Sequence, residues 1–301
     1  YIFNNSNSTS GGSKIYTNRI VMNSNSVLFQ IDYFIRSSPY KKVKGSGNIG
    51  LSDNSVRSYK SLRRIWDEFE NHIGGTVHLT ELNKDILQQF IHWMIHLQKY
   101  SVNYQGQLLK LLKSISKEAE KGGEQIHNYC NHIESYRQRK IDRIIVTLNQ
   151  NEINKLKELV NLPCELENIR KWFLLGLNIG QRISDVLKIT PQNLRLAPNG
   201  GMYLDLIQIK TKKPITVGII DPTVLEFLRK DFPQKTNASD FNKKIKELCR
   251  LAGIDQVIKG NKMSSITKRL AFGMYPKYEL ITSHTMRRSF ATNYFGKIET
   301  P

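Results

Sequence analysis

Apolar residues recur at three- and four-residue steps over three stretches in the first half of the chain, a period that predicts three amphipathic helices. In SVRSYKSLRRIWDEFENHI, Val56, Tyr59, Leu62, Trp66, Phe69 and Ile73 share a face, and Gly74 with Gly75 stops the helix. In ELNKDILQQFIHWMIHLQK the inward set is Leu82, Ile86, Phe90, either Trp93 or Met94, and Leu97. In SVNYQGQLLKLLKSISKEAEKGG it is Tyr104, Leu108, Leu111, Leu112 and Ile115, with Lys110, Lys113 and Lys117 on the other side. Ahead of this block, VLFQIDYFIR (27–36) alternates with the two-residue period of a strand, and the polar text to about residue 54 reads as a linker. Residues 1–26, rich in Asn, Ser and Gly, carry no period and read as disordered or tag-like.

The pattern lapses over 122–148 and resumes at Asn149, a cap with Glu152 three residues on. An apolar helix then runs to a break at Gly180, a short second helix follows, and Pro191 ends the stretch. MYLDLIQIK and PITVGII flank the basic turn KTKK and predict a β-hairpin. Helical text returns in DPTVLEFLRKDF and SDFNKKIKELCRLAGI, a small hairpin is expected from SITKRLAFGMY and KYELIT, and a last helix opens at Thr282 and Ser283. The fold class is therefore mainly α with small β-hairpins (α+β). Its divisions are an N-terminal extension (1–50), a helical domain (51–145) and a mixed domain (146–301).

Charge adds a partner to this picture. The 301 residues hold 45 Lys and Arg against 26 Asp and Glu, a formal charge of +19, and the pI is near 9.8. Such an excess points to a polyanion, nucleic acid ahead of an anionic membrane surface. No apolar run approaches the roughly 18 residues of a spanning helix, and the polar start lacks the apolar core of a signal peptide. Cys130, Cys164 and Cys249 are scattered and read as reduced core thiols of a cytoplasmic protein.

Three basic positions carry the candidate chemistry. Arg182 precedes Asp185 by three residues, so on a helix the two share a face and can pair. Lys210 stands at the hairpin tip, with Lys212 and Lys213 as alternatives. His284 and Arg287 fall on one face at a capped helix start, where free N–H groups already favour an anion; cations added there oppose the dipole and call for a phosphate.

In this order and spacing, Arg182 and Asp185 in NIGQRISDVLKIT, Lys210 in IKTKK, and His284 and Arg287 in HTMRRSFAT resemble the boxes of the tyrosine recombinase (phage integrase) family. The resemblance covers roughly residues 52–301 and implies a helical SAM-like core-binding domain followed by a catalytic domain. It implies cutting and rejoining of double-stranded DNA through a 3′-phosphotyrosine. Arg182 and Arg287 would hold the non-bridging phosphate oxygens, His284 would donate or help move a proton, Lys210 would protonate the leaving 5′ oxygen, and Asp185 would stand behind them. Lys110, Lys113 and Lys117 would contact DNA. The family implies no cofactor and no metal, and the chain has no P-loop or metal-ligand spacing. It also implies a tetramer on DNA, and the element before the helical block points to a mobile-element integrase with an arm-binding remnant.

The chain departs from the family in one respect. The second His or Trp and the nucleophilic Tyr are expected beyond residue 301, since only fourteen residues follow Arg287, and Tyr294 comes too early and is expected to pack as core. A non-cutting recombinase-like DNA-binding protein is the alternative, with an RNA-binding protein ranked below it.

Overall fold

The computed structural model describes residues 25–43, 47, 49–139, 144–198, 200–267 and 269–295, in two compact units that divide between Arg139 and Lys140. Residues 1–24, read above as disordered or tag-like, lie outside the described residues.

The first unit is helical. Helix α1 (Val27–Ser37) is capped by Ser26, whose Oγ accepts the Phe29 N–H at 3.2 Å. The strand expected here is therefore a helix. Its apolar positions satisfy both periods, and burial selects the helical one: Val27, Ile31 and Phe34 are buried while Tyr33 is 55% exposed. These three residues belong to the core of the unit, so α1 is part of it and not a separate extension. Helix α2 (Asp53–Ile73) ends at Gly74, left-handed at φ 74°. Helix α3 (Lys84–His92) widens into a π-turn (Trp93–Leu97). The wider turn buries Trp93 and Met94 together and leaves Leu97 exposed, against the expectation for Leu97. Helix α4 (Val102–Lys121) buries Leu108, Leu109, Leu112 and Ile115 against α1 and α2.

The second unit surrounds α6 (Cys164–Ile179), which α5 (Gln150–Glu158) precedes. Asn149 and Glu152 form the expected capping box, with bonds of 2.9 and 2.8 Å. A single turn α7 (Ile183–Val186) leads to a sheet of order β1 (Leu194–Leu196), β2 (Met202–Ile207) and β3 (Pro214–Ile219), all antiparallel. Pairs from Met202 with Ile219 to Ile207 with Pro214 set the β2–β3 register, leaving Gln208–Lys213 as the turn. Helices α8 (Pro222–Lys230) and α9 (Ala238–Leu251) pack on α6, as does the last helix α11 (Ser283–Tyr294).

The small hairpin is displaced from its expected place: its strands are β4 (Val257–Met263) and β5 (Leu270–Pro276), and KYEL forms a turn of helix, α10 (Lys277–Leu280). The text expected to begin the first strand instead gives a connection in which the Ser264 N–H reaches the Arg269 carbonyl at 2.8 Å. Of the cysteines, Cys130 and Cys249 are buried; Cys164 is exposed because it opens α6 instead of lying within it. Among the described residues, no helix is long and apolar enough to cross a membrane.

A buried carboxylate closes the α2 end of the first unit. Glu70 Oε1 accepts the Trp66 indole N–H at 2.9 Å and the Val77 N–H at 3.0 Å, and burial pushes its pKa above the usual carboxylate range. A raised folded-state pKa means the contribution of Glu70 is fullest below its unfolded pKa and is lost as pH rises through the folded one. Glu70→Gln keeps the acceptor without the charge, so its stability relative to wild type should increase between pH 4 and pH 8 in urea unfolding. Glu70→Ala, which orphans two buried donors, should cost about 2–4 kcal/mol across that range.

Candidate active site

The turn after α6 gathers the basic motifs. Gly180 ends the helix at φ +63°, and a Cβ there would sit 2.4 Å from the Phe290 ring of α11. One helical turn earlier, a Cβ on Gly176 would meet Met286 Sδ at 2.2 Å. Two glycines four residues apart thus admit two α11 side chains with the same spacing, and the helices approach closely. As a result the Gly180 carbonyl accepts a hydrogen bond from Arg287 Nη1 at 3.0 Å, one of the five N–H donors of that guanidinium.

Arg182 follows in extended conformation (ψ 148°) as the cap residue of α7. It is half-buried, and its guanidinium has no hydrogen bond or ion pair among the described residues. The pairing with Asp185 anticipated from their spacing does not form, because Arg182 stands just outside the helix whose geometry would align them. Asp185, 4% exposed, turns to the hairpin: its Oδ1 accepts the Ile209 N–H at 2.9 Å, and Oδ2 has no partner. That bond holds the residue next to Lys210, whose side chain is exposed at the turn. Lys212 occupies the turn's left-handed position, at φ 56°.

At the start of α11, Thr282 and Thr285 cap each other, with the Thr282 N–H reaching Thr285 Oγ1 at 3.1 Å. The Thr285 N–H bonds the Thr282 carbonyl at 2.8 Å, and the Ser283 N–H bonds Asn242 Oδ1 at 2.8 Å. Protein groups therefore occupy donors that the sequence reading left for an anion. The capacity for phosphate rests on side chains, with His284 and Arg287 both exposed. Tyr294 is half-buried and packs against Phe290, with ring centroids 4.9 Å apart and planes tilted by 37°. Thus the structure joins the Arg182 loop to Arg287 through Gly180 and to the Lys210 turn through Asp185, and it places His284 three residues from Arg287 on the same helix. Among the described residues, no group of three or more His, Cys, Asp or Glu side chains is arranged to hold a metal ion.

The first unit carries a groove of about 530 Å³, lined in part by Ser55, Ser58, Asn103, Gln107, Lys110 and Arg137. Its wall is the extended segment 133–138, tied to α4 at several points. Lys113 Nζ donates to the Ile133 carbonyl at 2.8 Å, the Tyr136 hydroxyl to Gln105 Oε1 at 2.7 Å, and the Gln138 N–H to Asn103 Oδ1 at 3.1 Å. Gly106 makes the approach possible, since a Cβ there would lie 1.8 Å from the Tyr136 carbonyl oxygen. Lys113, grouped in the sequence reading with the DNA-contacting lysines, is thus committed to a carbonyl, whereas Lys110 and Lys117 are exposed. Arg137 escaped the sequence reading because it lies in text without periodicity; the glycine inside the α4 pattern was the one signal of a close backbone approach.

No family model and no curated protein sequence matches the chain. Solved structures do. The XerH site-specific recombinase in a post-cleavage complex with a palindromic difH substrate is similar at 14% identity and a TM-score of 0.63, over 90% of this chain and 84% of that one. A lambda integrase tetramer bound to a Holliday junction is similar at 12% identity and 0.60, over 91% and 71% of the two chains. The Tn1549 transposon integrase in complex with transposon right-end DNA also stands at 12% and 0.60, over 91% and 88%. The chain has the fold of the tyrosine recombinases, mainly helical with small antiparallel sheets, as its sequence led one to expect.

The glycine pair sets the geometry of this site, so its two members should respond differently to a methyl group. Gly180→Ala combines left-handed strain with a clash against a ring and should cost about 2–4 kcal/mol. Gly176→Ala meets a flexible methionine and gains helix propensity, so it should cost less than about 1 kcal/mol. Thermal unfolding of the two variants compares them directly, and equal shifts in Tm would contradict this account.

Proposed function

We propose that this protein is a site-specific DNA recombinase of the tyrosine type, acting in the cytoplasm as the integrase of a mobile element and assembling as a tetramer on double-stranded DNA. The observation that carries the reading is the joining of the Arg182 loop to Arg287 and to the Lys210 turn, within a fold shared with DNA-bound recombinases. The tetramer draws on the lambda integrase likeness.

In this reading Arg182 and Arg287 present forked donors to the non-bridging oxygens of one phosphodiester, where charge accumulates in the transition state. A tyrosine oxygen, its proton passed to His284 or to solvent, forms a bond to phosphorus. The P–O5′ bond breaks with its electron pair going to O5′, which takes a proton from Lys210 Nζ, leaving a neutral amine and a 3′-phosphotyrosine. Religation runs the same steps backwards. Residues of this chain supply the charge and the protons, and no cofactor or metal enters the scheme. The nucleophile is assigned to a tyrosine beyond residue 301, because Tyr294 lies only seven residues past Arg287 in the same helix, with its ring tilted against Phe290. Lys110, Lys117 and Arg137 meet backbone phosphates along the first unit, while Lys113 holds the wall of the groove.

These assignments separate in two measurements on duplexes selected from a randomised pool. Arg182→Ala should bind within about threefold of wild type and lose about 10²–10³-fold in the rate of covalent attachment to a nicked suicide duplex. A wild-type protein that binds tightly and never attaches would make it a non-cutting DNA-binding protein. In salt titrations, Lys110→Ala and Arg137→Ala should each reduce the slope of log K against log[salt] by about 0.9. Lys113→Ala should leave the slope unchanged and lower the Tm.

A further inference from the structure

We propose that Gln181 and Gln208 are positioning residues that clasp the Lys210 turn to the Arg182 loop, an inference that rests on the recombinase reading. Gln181 immediately precedes Arg182, and Gln208 lies two residues before Lys210. Gln208 Nε2 donates to Gln181 Oε1 at 2.8 Å, and Gln181 Nε2 donates in turn to the Ile179 carbonyl at 3.1 Å. At its other end Gln208 Oε1 accepts the Thr211 hydroxyl at 2.5 Å. The backbone of the same residue closes the turn, its N–H reaching the Lys213 carbonyl at 2.9 Å and its carbonyl accepting the Lys212 N–H at 2.8 Å. A continuous line of hydrogen bonds thus runs from Thr211, inside the turn, through both amides to the end of α6.

The need for such a line follows from where Lys210 stands. It is exposed at the tip of a hairpin, and its side chain has no hydrogen bond or ion pair among the described residues. A proton donor must come within about 3 Å of its acceptor, and misplacement by about 1 Å can cost on the order of 10²-fold in rate. The β2–β3 ladder holds the two ends of the turn, and the Asp185 bond to the Ile209 N–H ties it to the Arg182 loop at one point. The glutamine pair supplies a second tie to that loop and so narrows the directions in which the lysine projects. Both glutamines are half-buried and uncharged, so their contribution to the reaction is geometric.

Sulfur in place of the bridging 5′ oxygen distinguishes positioning of the proton donor from general support of the site. A thiolate leaves without a proton, since a thiol has a pKa of about 8.5, far below that of an alcohol. On the oxygen substrate, Gln181→Ala and Gln208→Ala in the full-length protein should attach to DNA about 10–100-fold more slowly than wild type. On the 5′-phosphorothiolate duplex both should come within about threefold of wild type, and the double variant should be no slower than the worse single one. Measurement below the Tm of each variant keeps the oxygen-to-sulfur ratio informative even where a substitution lowers stability. Equal losses on both substrates, or no loss on oxygen, would overturn the clasp while leaving the recombinase reading in place. A wild-type protein that attaches to neither substrate would remove the recombinase reading and the clasp with it.

Discussion

The close crossing of α6 and α11 is the constraint on which the second unit's site depends. Gly176 and Gly180 present no side chain to α11, and Met286 and Phe290 fill the space a Cβ would need. That contact decides where the Arg287 side chain begins, and its bond to the Gly180 carbonyl decides where it points. Gly180 also has a second role as the left-handed residue that ends α6 and turns the chain toward Arg182. One residue therefore couples a helix end, a helix contact and a side-chain orientation. Two sequence motifs about a hundred residues apart meet at the backbone of this glycine, and the Asp185 bond to the Ile209 N–H brings in the third.

The parts of this arrangement legible in the sequence were those written in local patterns. Helices α2, α3 and α4 followed from apolar spacing, Asn149 and Glu152 from the capping box, and the β2–β3 hairpin from alternation around a basic turn. Reading failed where two periods fit the same letters. In VLFQIDYFIR every second residue is apolar, yet Val27, Ile31 and Phe34 also share a helical face, and only the hydrophobic partners offered by α2 and α4 decide between them. The β4 strand shows the opposite difficulty: its burial does alternate, with Val257, Lys259, Asn261 and Met263 exposed, but the inward residues are Ile258, Gly260 and Lys262, so the letters carry no apolar alternation. The basic site residues were visible as types at spacings, whereas the bonds between them run through backbone groups of Gly180 and Ile209, which no residue code reports.

The electrostatics of the site have a consequence for the free protein. Arg182, Lys210 and His284 lack hydrogen-bond or ion-pair partners among the described residues, and Arg287 uses a neutral carbonyl. The nearby acid, Asp185, spends one oxygen on a backbone amide and buries the other without a partner. Unbalanced positive charge of this kind raises the free energy of the compact state, and an anion bound there lowers it again. Any ligand that binds only the folded form stabilises it in proportion to the logarithm of its concentration over its Kd. A site left electrostatically unsatisfied by its own chain is thus one whose stability and ligand occupancy are linked.

The same reasoning explains why the lysines of α4 cannot be counted as one set. Lys110, Lys113 and Lys117 are equivalent in the sequence, each set off from the apolar face by helical spacing. Folding makes them inequivalent by bringing the segment 133–138 against Gly106, an approach that needs the absence of one methyl group. The carbonyl of Ile133 then stands within reach of Lys113, and one of the three ammonium donors is spent on it. The same segment delivers Arg137 to the groove beside Lys110. The basic surface is therefore composed after folding by what the backbone takes and what it brings. An arginine in patternless text becomes part of the surface, and a lysine in the middle of a helix is turned toward a backbone carbonyl.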